Sequence, residues 1–352
     1  MSSAVSPTAR ALPGRIVRLS TPLVLTFTLV VVFVVLAYVA GVQSSVVIPA
    51  LVNVMLVLSI YVFSGNSGIF SFGHVGFMAI GAYTAAIVVI PPATKNLLYE
   101  MPGWLTRIQL PSLAATLIAA LVTGVFAALF GLPIMRLAGI AASIATFALL
   151  VITHTVSQNL QSVTNGQSGI TAVPVTVTQT TLLVAIALTL VVVFLFQNSG
   201  RGLQLRASRE DEVAASGAGI RIRRERRIAW VLSGVIAGAA GALYAQFLGT
   251  FAPDSFYLDQ TFVVVAMLVI GGTRSMAGAV IGALALASVS EILRQASSGV
   301  TVLGYEIPNF AEVTPVLVAL FMLLVLILRP TGITGGQELS LRLPAARPSA
   351  ES

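Results

Sequence analysis

Long apolar runs, broken by short polar stretches, organise this chain. No Asp, Glu, Lys or Arg occurs from Leu19 to Thr94, or again from Leu137 to Gly200. A helix rises about 1.5 Å per residue and needs roughly 20 apolar residues to cross a bilayer's hydrocarbon core. Each charge-free window therefore has room for at least two spans. The pattern predicts ten helices. Five lie near Pro22–Ala40, Val46–Phe63, His74–Ile90, Ser112–Leu132 and Leu137–His154. Five more lie near Thr181–Phe196, Ile228–Leu248, Phe256–Ile270, Met276–Leu293 and Val313–Leu328. The eighth run is short enough to be tilted or re-entrant.

Composition agrees: 57% of the 352 residues are hydrophobic and only 9% are charged, against about 25% charged in soluble domains. The positive-inside rule then tests the span count. With the N-terminus in the cytoplasm, sixteen basic residues fall inside and only Lys95, Arg107 and Arg294 outside. Losing one early span would reverse that balance. Losing the eighth and ninth together would keep it, so the pattern fits eight to ten spans. The predicted class is an all-α polytopic membrane protein of about ten transmembrane helices, with both termini cytoplasmic. Its parts are a tail over 1–20, a membrane domain over 21–330 and a tail over 331–352. Both tails read as short disordered ends. The first apolar run exceeds a signal-peptide core and reads as a retained helix.

The net charge of +7 does not indicate nucleic acid, because the arginines flank apolar runs instead of covering a domain face. There is no cysteine and hence no thiol chemistry. The only lysine, Lys95, lies outside any Gly-rich phosphate loop, so ATP must be bound elsewhere if it drives anything. No zinc-ligand cluster, serine triad or carboxylate pair is present, which leaves a membrane enzyme without a nucleophile. Ionisable residues inside the spans are almost absent: His74 and His154 sit at span ends and Glu291 near the end of the ninth. That argues against a proton relay. Sodium coupling through backbone carbonyls, or a channel, stays open.

Small residues recur in "SGNSGIFSFGHVGFMAIGAYTAAI", "SGVIAGAAGALYA" and "GGTRSMAGAVIGA". They allow close helix packing, and around Gly65–Gly73 they also suit irregular backbone beside a pathway. Polar pathway candidates are Asn53, Ser71, Gly73, His74, Tyr83 and Thr146. The uncharged outer segment Ser157–Thr180 reads as ordered turns at Asn165-Gly166 and Ser168-Gly169.

The loop over 198–227 stands apart. Leu205–Arg227 holds eleven of the thirty-one charged residues, and burying an Arg or Asp in lipid costs roughly 2.5–3.5 kcal/mol. Ser208 is placed to cap a short helix, with Glu210, Asp211 and Glu212 in its first turn. Ala214 and Ala215 favour the helix, and Gly217 or Gly219 can end it. Topology alone accounts for the basic run Arg221–Arg227, whose side chains can snorkel toward lipid head groups. It does not account for a capped acidic helix.

That loop, "RGLQLRASREDEVAASGAGIRIRRERRIAWVLSGVIAGAAGALYA", closely resembles the cytoplasmic loop and next helix of LivM-type permeases. These are membrane subunits of bacterial inner-membrane ABC importers for branched-chain amino acids. "EDEVAASGAGI" is similar to the family's coupling loop. "SGNSGIFSFGHVGFMAIGAY", "RLAGIAASIATFALLVITHTVSQNLQSVTNGQSGI", "APDSF" and "RPTGI" resemble its other signatures, so the likeness runs from about Pro49 to Ile333. It implies a related LivH-like second permease, two cytoplasmic ATPases that use ATP and Mg, and an extracytoplasmic binding protein. No cofactor is implied on this chain. Glu212, Ala214, Ala215 and Gly219, with Ser208, Glu210 and Asp211, would couple to the ATPase. Thr164, Gly166 and Gly169 would lie near the binding protein or the pathway entrance. Relatives often carry a carboxylate shortly after the threonine matching Thr146, where this chain reads "TFALLVI". The implied solute therefore stays open between branched-chain amino acids and urea, short amides or another small polar solute.

Overall fold

The computed structural model describes residues 13–99, 101–297, 301–302, 305–306, 314–329, 331–335 and 338. The described helices are α1 (Pro13–Val39), α2 (Ser44–Ile60), α3 (His74–Val89), α4 (Pro92–Leu98), α5 (Gly103–Thr106), α6 (Ser112–Ile134), α7 (Gly139–Asn159) and α8 (Gln161–Thr164). They continue with α9 (Gln179–Asn198), α10 (Gly200–Glu210), α11 (Glu212–Gly217), α12 (Ile222–Leu248), α13 (Leu258–Gly271), α14 (Met276–Ser297) and α15 (Thr314–Leu328). The β-structure among the described residues is one two-residue antiparallel pair, β1 (Thr301–Val302) with β2 (Tyr305–Glu306), and an isolated bridge.

Eight described helical segments are long and apolar enough to cross a membrane. The predicted third span, His74–Ile90, is the 16-residue α3, ended at Pro91-Pro92 and bent 110° from α4. The predicted tenth, α15, has 15 residues. Pairing α3 with α4 as one broken span makes nine. Eight to nine spans among the described residues lie within the expected eight to ten. The N-terminal 1–12 lie outside the described residues, and α1 starts at Pro13, inside the predicted tail.

α2, α3 and α12 form the centre. Fourteen of the sixteen α3 residues are buried, and α12 packs on α3, α6 and α2. Small residues make this possible. A Cβ on Gly241 would stand 1.9 Å from the Met78 carbonyl oxygen, and one on Gly81 would stand 2.1 Å from that of Gly238. The α13–α14 pair uses the same device at Gly271 and Gly282. The glycine runs thus serve close packing at these positions. α6, α7 and α9 instead turn Leu117, Leu121, Ile144 and Leu188 outward, as helices facing lipid or another subunit do.

The Gly65–Gly73 stretch has the irregular backbone its sequence suggested. α2 passes into a π-helical turn, Tyr61–Gly65. The chain is then non-helical from Gly68 to Gly73 before α3 starts.

The C-terminal segment departs from expectation. The Ile333 amide donates to the Ile270 carbonyl (2.8 Å), and the Thr334 hydroxyl to that of Gly271 (2.9 Å). The Glu338 carboxylate accepts from the Met276 amide at the start of α14 (2.8 Å) and lies 3.4 Å from the Tyr61 hydroxyl. A carboxylate suits a helix N-terminus, where amides lack partners. Polar composition suggested a disordered end, but residues 331–335 and 338 are fastened to the α13–α14 turn. The rest of 336–352 lies outside the described residues.

Candidate functional site

Two helices, not one, occupy the charged loop. Ser199 caps α10 by accepting from the Gly202 amide (3.2 Å). Ser208 is not a cap: it lies buried in the last turn of α10, donating to the Leu205 carbonyl (2.7 Å). Asp211 takes the capping role, accepting from the Val213 and Ala214 amides at 2.8 and 2.9 Å. The prediction misplaced the start by three residues because Ser and Asp both suit an N-cap, and α10 was not foreseen. Glu210 therefore ends α10, Asp211 sits between the helices and Glu212 opens α11.

At the other end Gly219 has φ +83°, a conformation that favours glycine. The Ile220 amide then closes on the Ala215 carbonyl (3.1 Å). α11 is thus a pre-formed knob. Glu210, Asp211, Glu212, Ala214 and Gly219 are exposed, while Ala215 is buried and anchors the knob. Val213, which was not singled out from sequence, is 81% exposed at its tip.

Charged contacts tie the knob to the bundle. Arg226, buried at the start of α12, pairs with Glu212 (2.8 Å). One member of the Arg221–Arg227 run, which topology alone was expected to explain, therefore also holds the docking segment. Arg209 donates to the Gly65 carbonyl in the π-turn (2.5 Å) and pairs with Glu210 (2.8 Å), which lies 3.9 Å from Arg274 in the α13–α14 turn. The Arg209 guanidinium beside Glu210 holds that carboxyl below the usual carboxylate range.

Four pathway candidates meet in one buried node. Ser71 Oγ is 2.9 Å from His74 Nδ1, and His74 Nε2 is 2.9 Å from Ser233 Oγ on α12. The Phe72 amide donates to Thr146 Oγ1 (3.2 Å), and a Cβ on Gly73 would stand 2.8 Å from the Thr146 carbonyl oxygen. Trp230 meets Phe63, Phe77 and His74 edge-on beside the node, at centroid distances of 5.0–5.3 Å. The other two candidates lie elsewhere. Asn53 accepts from Gln260 (2.7 Å) and lines an open cavity of about 510 Å³ between α2, α13 and α14. Tyr83 packs on Phe251, and its buried hydroxyl has no partner among the described residues. Ser233 and Trp230 were missed because each is a lone residue in an apolar helix.

The outer loop is ordered as its turn dipeptides indicated. Asn165, Gly166 and Gly169 all have positive φ. The Thr164 hydroxyl, buried, bridges the Ser157 and Leu160 carbonyls. Ile170 and Phe251 exchange two backbone bonds of 2.9 Å, and Tyr99 clamps Thr171. Beside them His154 is 2.8 Å from Asp254 and stacks on Tyr257 at 3.7 Å. Among the described residues no group of three or more His, Asp or Glu could hold a metal ion.

A membrane bundle with a charged knob at one end and a stitched uncharged loop at the other agrees with a family comparison. Residues 42–328 match the family described as branched-chain amino acid transport system / permease component. The chain belongs to this permease family. It is 27% identical over 332 residues to the high-affinity branched-chain amino acid transport permease LivM of Escherichia coli, covering 85% of this chain and 69% of that one. Against LivM of Salmonella typhimurium it is 26% identical over 335 residues, or 86% and 72% of the two chains. A probable LivH permease of Methanocaldococcus jannaschii is 29% identical over 130 residues, 37% of this chain and 39% of that one. No solved structure matches. The chain is thus a LivM-type, non-enzymatic permease subunit of a multi-subunit ABC importer, a multi-pass protein of the bacterial inner membrane.

Proposed function

We propose that this permease carries branched-chain amino acids inward, driven by ATP and fed by an extracytoplasmic binding protein. A LivH-like second permease completes the pathway, and two cytoplasmic ATPases bind ATP and Mg. The observation that carries this reading is α11, a six-residue knob with a specific N-cap, a glycine stop and an exposed tip. A loop that only fixed topology would need arginines and no such helix. Exposed Val213 and Glu210 seat in the ATPase, and the contacts through Arg226, Arg209 and Arg274 pass its motion to α12, the π-turn and the α13–α14 turn. The Ser71–His74–Ser233 node, with Gly73 and Thr146, closes the pathway at rest. Asn53 and Tyr83 are further contacts along it. The loop around Thr164, Gly166 and Gly169 receives the binding protein.

One observation favours a second solute class. α7 carries no acidic residue from Gly139 to Asn159, so no carboxylate on that helix pairs with an ammonium group. Urea, short amides or another uncharged solute fit such a lining. Reconstitution tests the reading: vesicles holding all subunits should accumulate solute with ATP, and the chain alone should not. Gradient-driven uptake by the chain alone would point to a sodium-coupled carrier or channel instead. A solute panel on the cognate binding protein, with leucine, urea and acetamide, separates the two solute classes.

A further inference from the structure

The ends of α6 and α9 and the starts of α10 and α12 enclose an open cavity of about 1190 Å³ that none of the roles above uses. Its deep wall is apolar, formed by Leu132, Phe196, Ile228 and Val235. Its rim is charged. Arg201, Arg224 and Arg227 line it, all exposed and without an ion pair among the described residues. The first turn of α10, at Gly200 and Arg201, faces it too, and helix N-terminal amides favour anions. One rim group has the opposite sign. Glu225 is only 6% exposed, and its Oε2 has no hydrogen-bond partner among the described residues.

A buried carboxylate oxygen without a donor is costly, so Glu225 favours a cationic N–H partner beside the anion that the arginines favour. An apolar wall at the arginine-bearing end of the spans, a basic rim and one unsatisfied carboxylate describe a particular amphiphile. We propose that this cavity binds one phospholipid of the adjacent leaflet that bears a phosphate and a primary ammonium, an ethanolamine phospholipid. The arginines take the phosphate, Glu225 takes the ammonium, and an acyl chain lies along Leu132 and Val235. Basic pockets between spans at this face are suited to lipid head groups. Glu225 adds the selectivity, since a choline head group has the same charges and no N–H to donate. The inference depends on neither the solute nor the docking of α11.

Native mass spectrometry of the full chain, released from micelles with equal amounts of ethanolamine, choline and glycerol phospholipids, tests it. The wild type should retain one ethanolamine lipid, at about tenfold preference over choline. Arg201→Ala with Arg227→Ala should lower retention of every lipid by about tenfold. Glu225→Gln should keep lipid binding and lose the choice between ethanolamine and choline. Both arginines are exposed, so their variant serves even if the change at buried Glu225 unfolds the chain. Equal retention of the three lipids, a preference for the glycerol head group, or retention unchanged without the arginines would each overturn the proposal. So would a photo-crosslinker at Leu132 that captured a protein subunit in place of lipid from native membranes.

Discussion

The two ends of the bundle are held together in different ways. At the arginine-rich end, side-chain charges connect segments far apart in sequence: Glu212 with Arg226, Arg209 with the Gly65 carbonyl, and Glu338 with the amide of Met276. At the other end the joins are mostly uncharged backbone, with Ile170 bridged to Phe251 and Val173 to Gly249. The charged exceptions are His154 with Asp254, Lys95 on the Leu105 and Ile108 carbonyls, and Arg294 with Glu291. Backbone bridges fix a shape. Ion pairs on separate elements can shift and re-form, which suits an end that receives motion from a partner. The uncharged end suits a preformed surface.

The packing that both ends share should give the largest effect. Gly241→Val puts side-chain atoms where even a Cβ stands 1.9 Å from the Met78 carbonyl. Overpacking costs roughly 1–3 kcal/mol, and occasionally more. Thermal unfolding in detergent should show a lower midpoint, with both ends loosened together. Gly169→Ala should act on the uncharged end alone. Its φ is +71° and its Cβ would stand 2.2 Å from the Phe251 carbonyl, so about 1–3 kcal/mol of strain opens the bridge. Hydrogen exchange should quicken at Ile170 and Phe251 and stay unchanged at α11.

Glu338→Ala is the matching change at the charged end. Losing a helix cap costs about 1 kcal/mol, and exchange should quicken at Met276 and Ala277 while Ile170 is unmoved. The smallest effect concerns pH. Glu210 is exposed, and its hydrogen bond with Arg209 lowers its carboxyl pKa. Its pairing is complete above the ordinary carboxylate pKa and fades as pH falls through the lowered value. NMR titration should show Arg209 and Glu210 responding together there, with Ile170 silent. Effects that spread equally to both ends would remove the distinction.

Much of the architecture was legible because lipid demands a simple pattern: uncharged stretches long enough to span, with arginines on one side. The limits of that reading are local. The pattern places the third helix at His74–Ile90, close to α3, but it does not report the 110° bend into α4. The capped knob was legible as a cap, acids and a glycine stop, and its start was misplaced because Ser208 and Asp211 are equivalent in sequence. Arg226 could not be told from its neighbours Arg223, Arg224 and Arg227, since only the fold brings Glu212 to it. Ser233, Trp230 and Glu338 belong to contacts made across long separations, and a single residue carries no spacing signal for those.

The central claim is that α11, held by Glu212 on Arg226, delivers the partner's motion to α12. A charge-swap cycle in vesicles containing the complete importer tests it most directly, with ATP hydrolysis and solute uptake read together. Glu212→Arg and Arg226→Glu should each cut uptake per ATP by about tenfold, equivalent to about 1.4 kcal/mol of coupling. The double swap should recover most of it, because the pair re-forms with its signs exchanged. Full uptake per ATP in both single variants would contradict the account.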